Sequence, residues 1–216
     1  MTRPMSVSLM CPCCGNQFKA TSLFSTNTCG PLTTDLYRRA GGLPSLPYMV
    51  HSCSQCGYSG SEGDFNSEVV TPALKEWVQQ NVKPIADRRN VGARYENSAR
   101  IAERRGASAF QVANIWLRAG WCESQGSEAG VRFRREAVTR FEAAADKGQV
   151  PKEELATTTY LIGELHRRVG NLDKARLWFA RVPEAVGDDA KQKWLTDLAI
   201  QQSTEPKEFV DEEARI

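Results

Sequence analysis

From about residue 72 onward, apolar positions recur at spacings of three and four, the period of a helix with one buried face. Pro72 opens a first helix carrying Leu74, Trp77 and Val78. A second is predicted from about Pro84 to Arg105, ending at Gly106, with Ser108 placed to cap the next. That third helix carries Ala109, Val112, Ala113, Trp116 and Ala119 on one stripe. A fourth, from about Val131 to Lys147, buries Phe133, Ala137, Phe141 and Ala144 and stops at Gly148. Pro151 with Glu153 and Glu154 suits a fifth start, because proline fits the first turn and acids face the positive end of the helix dipole. Its stripe is Leu155, Thr158, Ile162, Leu165 and Val169, and Gly170 ends it. Asn171 begins a sixth helix with Ala175, Trp178, Phe179 and Val182. A seventh starts near Asp188 and carries Trp194 and Leu198. The acidic stretch after Ser203 reads as a loosely held tail.

The first 65 residues have no such period and are rich in Cys, Gly, Pro, Ser and Thr. Gln17 to Ala20 and Tyr48 to Ser52 are the predicted strands, with Gly41 to Pro47 a loop between them. A segment of this kind has little core of its own and needs a staple. The expected architecture is therefore α+β, mainly α: a small zinc-ribbon-like module over residues 1–70, antiparallel helical hairpins over 71–202, and an acidic tail over 203–216.

The staple is legible in the cysteines. There are seven, at 11, 13, 14, 29, 53, 56 and 122. Cys11-Pro12-Cys13-Cys14-Gly15 and Cys53-Ser54-Gln55-Cys56-Gly57 are two Cys-x-x-Cys-Gly turns. Two intervening residues let both sulfurs of one turn reach a single ion, and the glycine lets the backbone reverse. Two such turns supply the four thiolates of a closed structural zinc site, with Zn–S bonds of about 2.3 Å. The predicted ligands are Cys11, Cys14, Cys53 and Cys56. The gap from Cys14 to Cys53 holds 38 residues, more than the usual ribbon spacing, so Cys13, Cys29 and His51 are alternative ligands. The rival reading of Cys11 and Cys14 is a thiol redox pair, which needs a βαβ framework that the pattern does not supply. Cys122, near the end of a helix, reads as a buried thiol.

Thr159 to Val182 resembles a tetratricopeptide repeat. Ile162-Gly163 stands where the repeat has Leu-Gly, and Ala175 and Phe179 occupy its second-helix positions, while His166 replaces the usual aromatic. A weaker copy starts at Trp116, with Ala119, Gly120, Ala137, Phe141 and Ala144. Gly120 to Gly163 is 43 residues, longer than the ordinary repeat of about 34. The bland alternative is a helical bundle in which the small residues merely ease packing.

Taken together, "CPCCGNQF" at 11–18, "CSQCGYSGSEGDF" at 53–65 and the repeat-like segment at 159–182 resemble a family of uncharacterised bacterial proteins. That family, a domain of unknown function, joins a zinc-ribbon-like start to a tetratricopeptide-like end. Gly57, Tyr58, Asp64 and Phe65 follow the second knuckle at the family's spacing, and Cys29 falls where the family tends to place a cysteine. Gly30 to Pro47 departs from the family's aromatic-rich stretch. The resemblance implies the architecture and no activity.

Composition narrows the function classes. Hydrophobic residues are 41% and charged residues 25%, ordinary for a globular chain, and no apolar run approaches the roughly 18 residues of a membrane span. Residues 1–10 lack a signal-peptide core, so the expected compartment is the cytoplasm, where clustered thiols bind metal rather than pair. The net charge of +2 divides into +1 for residues 1–86, +4 for 87–150 and −3 for 151–216. The arginine-rich stretch from Arg88 to Arg105 raises nucleic-acid binding as an alternative, but Glu96 and Glu103 offset it and +4 is modest for such a surface. Catalysis is not indicated. The two histidines, His51 and His166, form no ligand pair, no phosphate loop or serine elbow occurs, and a four-thiolate zinc has no open position. No small-molecule substrate is indicated either. The expectation is an adaptor with structural Zn2+ that binds a protein partner on the helical face, with Asn114, Arg118, Glu164 and Arg168 as candidate contacts.

Overall fold

A computed structural model describes residues 3–65, 70–87 and 89–211. Arg88 of the arginine-rich stretch and residues 212–216 of the predicted tail lie outside the described residues. The architecture is mainly helical with a small cysteine-bearing β region at the start. Strand β1 (Arg3–Met10) pairs antiparallel with β2 (Gln17–Ser25), Leu9 opposite Phe18 and Val7 opposite Ala20. Of β1, Leu9 is buried and Val7 half-buried, while its serines and Met10 face outward. That alternation is short and serine-diluted, which is why only β2 stood out in the sequence.

The predicted strand at 48–52 is a correction. Ser45 leads into a short helix, α1 (Leu46–Met49), and only His51–Ser52 extends as β3, paired with β4 (Ser59–Gly60). Pro47 suits a first helical turn. The turn is pinned from outside: Tyr95 Oη donates to the Leu46 carbonyl at 3.0 Å, and Arg94 Nη1 donates to the Pro47 and Val50 carbonyls at 3.0 and 3.2 Å. A one-turn helix α2 (Glu62–Phe65) follows.

The helices α3 (Pro72–Asn81), α4 (Val91–Arg104), α5 (Ala109–Trp121), α6 (Glu128–Asp146), α7 (Leu155–Arg168), α8 (Leu172–Phe179), α9 (Val182–Val186) and α10 (Lys193–Thr204) complete the chain. Thr71 and Ser108 cap α3 and α5 through their side chains. The helix expected from Pro84 instead begins at Val91, where Asn90 Oδ1 accepts from the Ala93 amide at 2.9 Å. From within α4, Asn97 Nδ2 donates to the carbonyls of Lys83 and Gly57, both at 3.2 Å, and so ties the chain after α3 to the second knuckle. Ser127 caps α6 three residues earlier than its apolar stripe implied. Pro183 divides the predicted sixth helix into α8 and α9.

Successive helices pack as antiparallel hairpins. Phe110 meets Phe141 and Trp116 meets Phe133 across α5 and α6, and Tyr160 meets Phe179 across α7 and α8. One core lies among α4 to α7, a second among α7 to α10, and a third holds the cysteines against α3 and Ile101 of α4. The predicted loose tail is tied down as far as Val210. The Thr34 amide donates to the Glu208 carbonyl at 2.9 Å, the Val210 amide donates to the Leu32 carbonyl at 2.9 Å, and Val210 is buried. No described helix is long and apolar enough to cross a membrane.

Candidate metal centre

Both knuckles are hairpin turns, and they are built alike. In the first, between β1 and β2, the Cys11 amide donates to the Asn16 carbonyl at 2.9 Å and the Gly15 amide to the Cys11 carbonyl at 2.8 Å. In the second, between β3 and β4, the Cys53 amide donates to the Tyr58 carbonyl and the Gly57 amide to the Cys53 carbonyl, both at 2.9 Å. Gly15 and Gly57 share the same left-handed φ of 75°, which the turn requires and a side chain resists.

The two turns face each other. Cys11 Sγ lies 3.5 Å from Cys56 Sγ, Cys14 Sγ lies 3.6 Å from Cys53 Sγ, and all four sulfurs fall within 4.8 Å of one another. These separations are far too long for disulfides. They match the sulfur edges of a tetrahedron built on Zn–S bonds of about 2.3 Å, which are about 3.8 Å. The donor set therefore suits a single thiophilic divalent cation. Among the described residues this is the one group of three or more metal-type side chains so arranged.

Crowding sets the electrostatics. The thiol of Cys56 donates toward Cys11, which, against the effect of burial, lowers the Cys11 pKa to about 5. Serving as that donor, and buried beside the same charge, Cys56 is pushed far upward. Burial first, with the thiol of Cys53 adding to it, raises Cys14 to about 11. Cys14 and Cys56 thus resist ionising beside Cys11 without a cation, so binding one releases protons.

The remaining candidates lie elsewhere. Cys13 is buried but turns its sulfur toward the Lys75 carbonyl of α3, 3.9 Å away. Cys29 is exposed, its amide bonded to Asn27 Oδ1 at 2.8 Å. His51 is buried with its ring edge-on to Phe65, and burial lowers its pKa. Two contacts had no sequence signal. Asn16 Nδ2 reaches Cys53 Sγ at 3.6 Å, one knuckle supporting the other. Asp64 accepts from the Ser61 amide and hydroxyl at 2.9 and 2.7 Å and from Arg105 Nη1 at 2.6 Å, joining the head to the end of α4.

Of the four expected partner contacts, Asn114 and Arg118 line a cleft of about 550 Å³ between α4, α5 and the head, together with Asp64, Arg105 and Gln111. Glu164 and Arg168 do not share it. Glu164 is fully buried and the Arg168 side chain is 3% exposed, because the loop around Thr34 covers both. Glu164 Oε1 accepts from Thr34 Oγ1 and from Arg168 Nε, both at 2.7 Å. An outward face assigned from helical periodicity is thus an inward one.

The fold and site define a class: a four-cysteine β head, able to hold one metal ion, on a body of helical hairpins. The family described as "Uncharacterized protein conserved in bacteria (DUF2225)" matches residues 5–205, and the chain belongs to it. No curated protein and no solved structure matches it significantly.

Proposed function

We propose that the protein is a non-catalytic adaptor of the cytoplasm whose structural zinc fixes the head against a helical, tetratricopeptide-like body, and whose cleft between the two receives a segment of a protein partner. The closure of the four sulfurs carries this reading, because a tetrahedral four-thiolate ion is saturated by protein and leaves no position for substrate. The cleft supplies a receiving surface. Among the described residues Arg118 has no ion-pair partner and the side-chain carbonyl of Asn114 accepts no hydrogen bond, while its amide bonds to the Phe110 carbonyl at 2.9 Å. A partner segment with an acidic group fits that lining. The nucleic-acid alternative, which rested on the arginine-rich stretch, finds less support at its end, since Arg105 is engaged by Asp64 and Arg100 lies over the Trp77 ring at 5.9 Å.

Metal analysis is expected to return one zinc per chain. Cys56→Ser is expected to release it and to lower the melting temperature, whereas Cys13→Ser retains it. A fully folded, metal-free wild type ends the staple. For the partner, Arg118→Glu is expected to abolish a complex recovered from the native cell that Arg181→Glu, an exposed charge on the far hairpin, leaves intact. Equal recovery with both variants removes the cleft from consideration.

A further inference from the structure

A second cleft, of about 500 Å³, opens beside the second knuckle. Its walls include Phe18 and Lys19 of β2, Tyr48 of α1, His51 of β3, Arg89 and Arg94. Volume and mixed lining are those of a small-ligand site: apolar and aromatic surface with a few polar groups. Among the described residues three cations border it and no carboxylate does. Lys19 is exposed and has no ion-pair partner among the described residues. Arg89 pairs with exposed Asp87, at 3.2 Å. Arg94 gives Nη1 to two main-chain carbonyls, and among the described residues its Nε finds no acceptor and no carboxylate pairs with it. Glu62, the acid that acts on His51, is not among the lining residues.

A partly buried guanidinium without a counter-charge, beside two further cations, creates a positive potential inside the cleft. The aromatic part is equally specific. Phe18 is half-buried, its ring in edge contact with Phe65 at 5.5 Å, and Tyr48 is half-buried with a hydroxyl that bonds no described residue. His51 adds a buried ring, set edge-on to Phe65 with centroids 6.3 Å apart. A flat ring carrying an anionic group satisfies both halves at once.

We infer that this cleft is a binding site for a nucleotide unit, the base lying against Phe18 and Tyr48 and the phosphate facing Lys19 and Arg89. The site goes beyond the adaptor reading and uses none of the residues of the Arg118 cleft. A nucleotide unit exists free or within a single strand, and titration calorimetry of the full-length, zinc-loaded protein separates the two. The probes are the four ribonucleoside monophosphates, adenosine, inorganic phosphate and an oligoadenylate, in low-salt buffer.

Binding is expected for at least one monophosphate or for the oligomer, with adenosine and phosphate each about tenfold weaker or more, since each keeps only half the contacts. Lys19→Glu and Tyr48→Ala are each expected to weaken it about tenfold without altering the melting temperature, the second through lost stacking. Arg118→Glu is expected to change nothing. Binding confined to monophosphates identifies the free nucleotide, and binding confined to the oligomer identifies a strand. No heat with any monophosphate or the oligomer at millimolar concentration overturns the site. Binding indifferent to both Lys19→Glu and Tyr48→Ala does the same.

Discussion

Gly15 and Gly57 have the same φ, yet the two turns do not tolerate the same change. At Gly15 a methyl group meets open space, so Gly15→Ala carries only the left-handed backbone penalty of about 1–2 kcal/mol. At Gly57 the methyl collides with the Lys83 carbonyl, a main-chain atom held in place by Asn97. Gly57→Ala is therefore expected to lower stability more than Gly15→Ala, and, in the metal-loaded protein, to speed loss of the ion to a chelator, which urea titration and a colorimetric metal assay measure. Equal effects from the two substitutions contradict this reading. Asp64 tests a different term. Burial pushes its pKa upward, but the Ser61 hydroxyl and amide and the Arg105 guanidinium outweigh it and hold the carboxyl below the ordinary 3.8. A folded-state pKa below the unfolded one contributes stability that is fully present above about pH 4 and fades as pH falls below it. Asp64→Asn is thus expected to lower the melting temperature at pH 7, with the gap to wild type narrowing below pH 4. A gap of the same size at pH 3 and pH 7 rules the ion pair out as its source.

Among the elements, α5 and α7 were readable because in each the apolar period coincides with a terminus signal, the Ser108 cap for the one and the Gly170 stop for the other. The start of α4 was not, because Pro84 is a good local start and the deciding contacts, Asn97 to Lys83 and Gly57, join residues far apart in sequence. The four-cysteine cluster was readable for the same reason as α5: each knuckle is a local motif. Asn16 against Cys53, and the loop over Glu164 and Arg168, are long-range contacts that no spacing encodes. Gly163 was legible as a point of close helix approach, and the structure gives its reason. A methyl there would lie 2.6 Å from the Phe179 ring of α8, so Gly163→Ala overpacks the α7–α8 contact and is expected to cost about 1–3 kcal/mol. Phe179→Leu opens that space. In a double-mutant cycle by urea denaturation the pair is expected to lose less than the sum of its singles. Strict additivity would mean that the two residues do not press on each other.

At the scale of the molecule, the long gap between the knuckles is the segment that joins head, helices and tail. Its ends are fixed by Cys14 and Cys53, and its middle is inserted among the helices. Tyr160 Oη donates to the Thr34 carbonyl at 2.8 Å, Trp121 Nε1 to the Asp35 carbonyl at 3.2 Å, and Arg168 Nη2 to Thr34 Oγ1 at 2.9 Å. Asp35 itself is 1% exposed, its Oδ2 lying 3.7 Å from Arg134 Nη2 and 3.5 Å from Arg168 Nη1. Arg168 also has Glu164, whereas Arg134, 4% exposed and with Nε and Nη1 unbonded, has Asp35 as its one paired carboxylate among the described residues. Asp35→Asn keeps the shape of the loop and removes that charge, so it is expected to destabilise the chain by about 3–5 kcal/mol, the effect of leaving a buried charge unpaired. Adding Arg134→Met removes the orphan and is expected to restore much of the loss, because an apolar side chain replaces an ion that burial already disfavours. Urea midpoints of the wild type, single and double variants measure both. A loss below 1 kcal/mol, or a double variant no better than the single, refutes the pairing. The knuckles hold their sulfurs through their own turns, so metal content is expected to stay at the wild-type level throughout the series. The staple at the ends of the loop and the ion pair at its middle are then separable contributions to one connection.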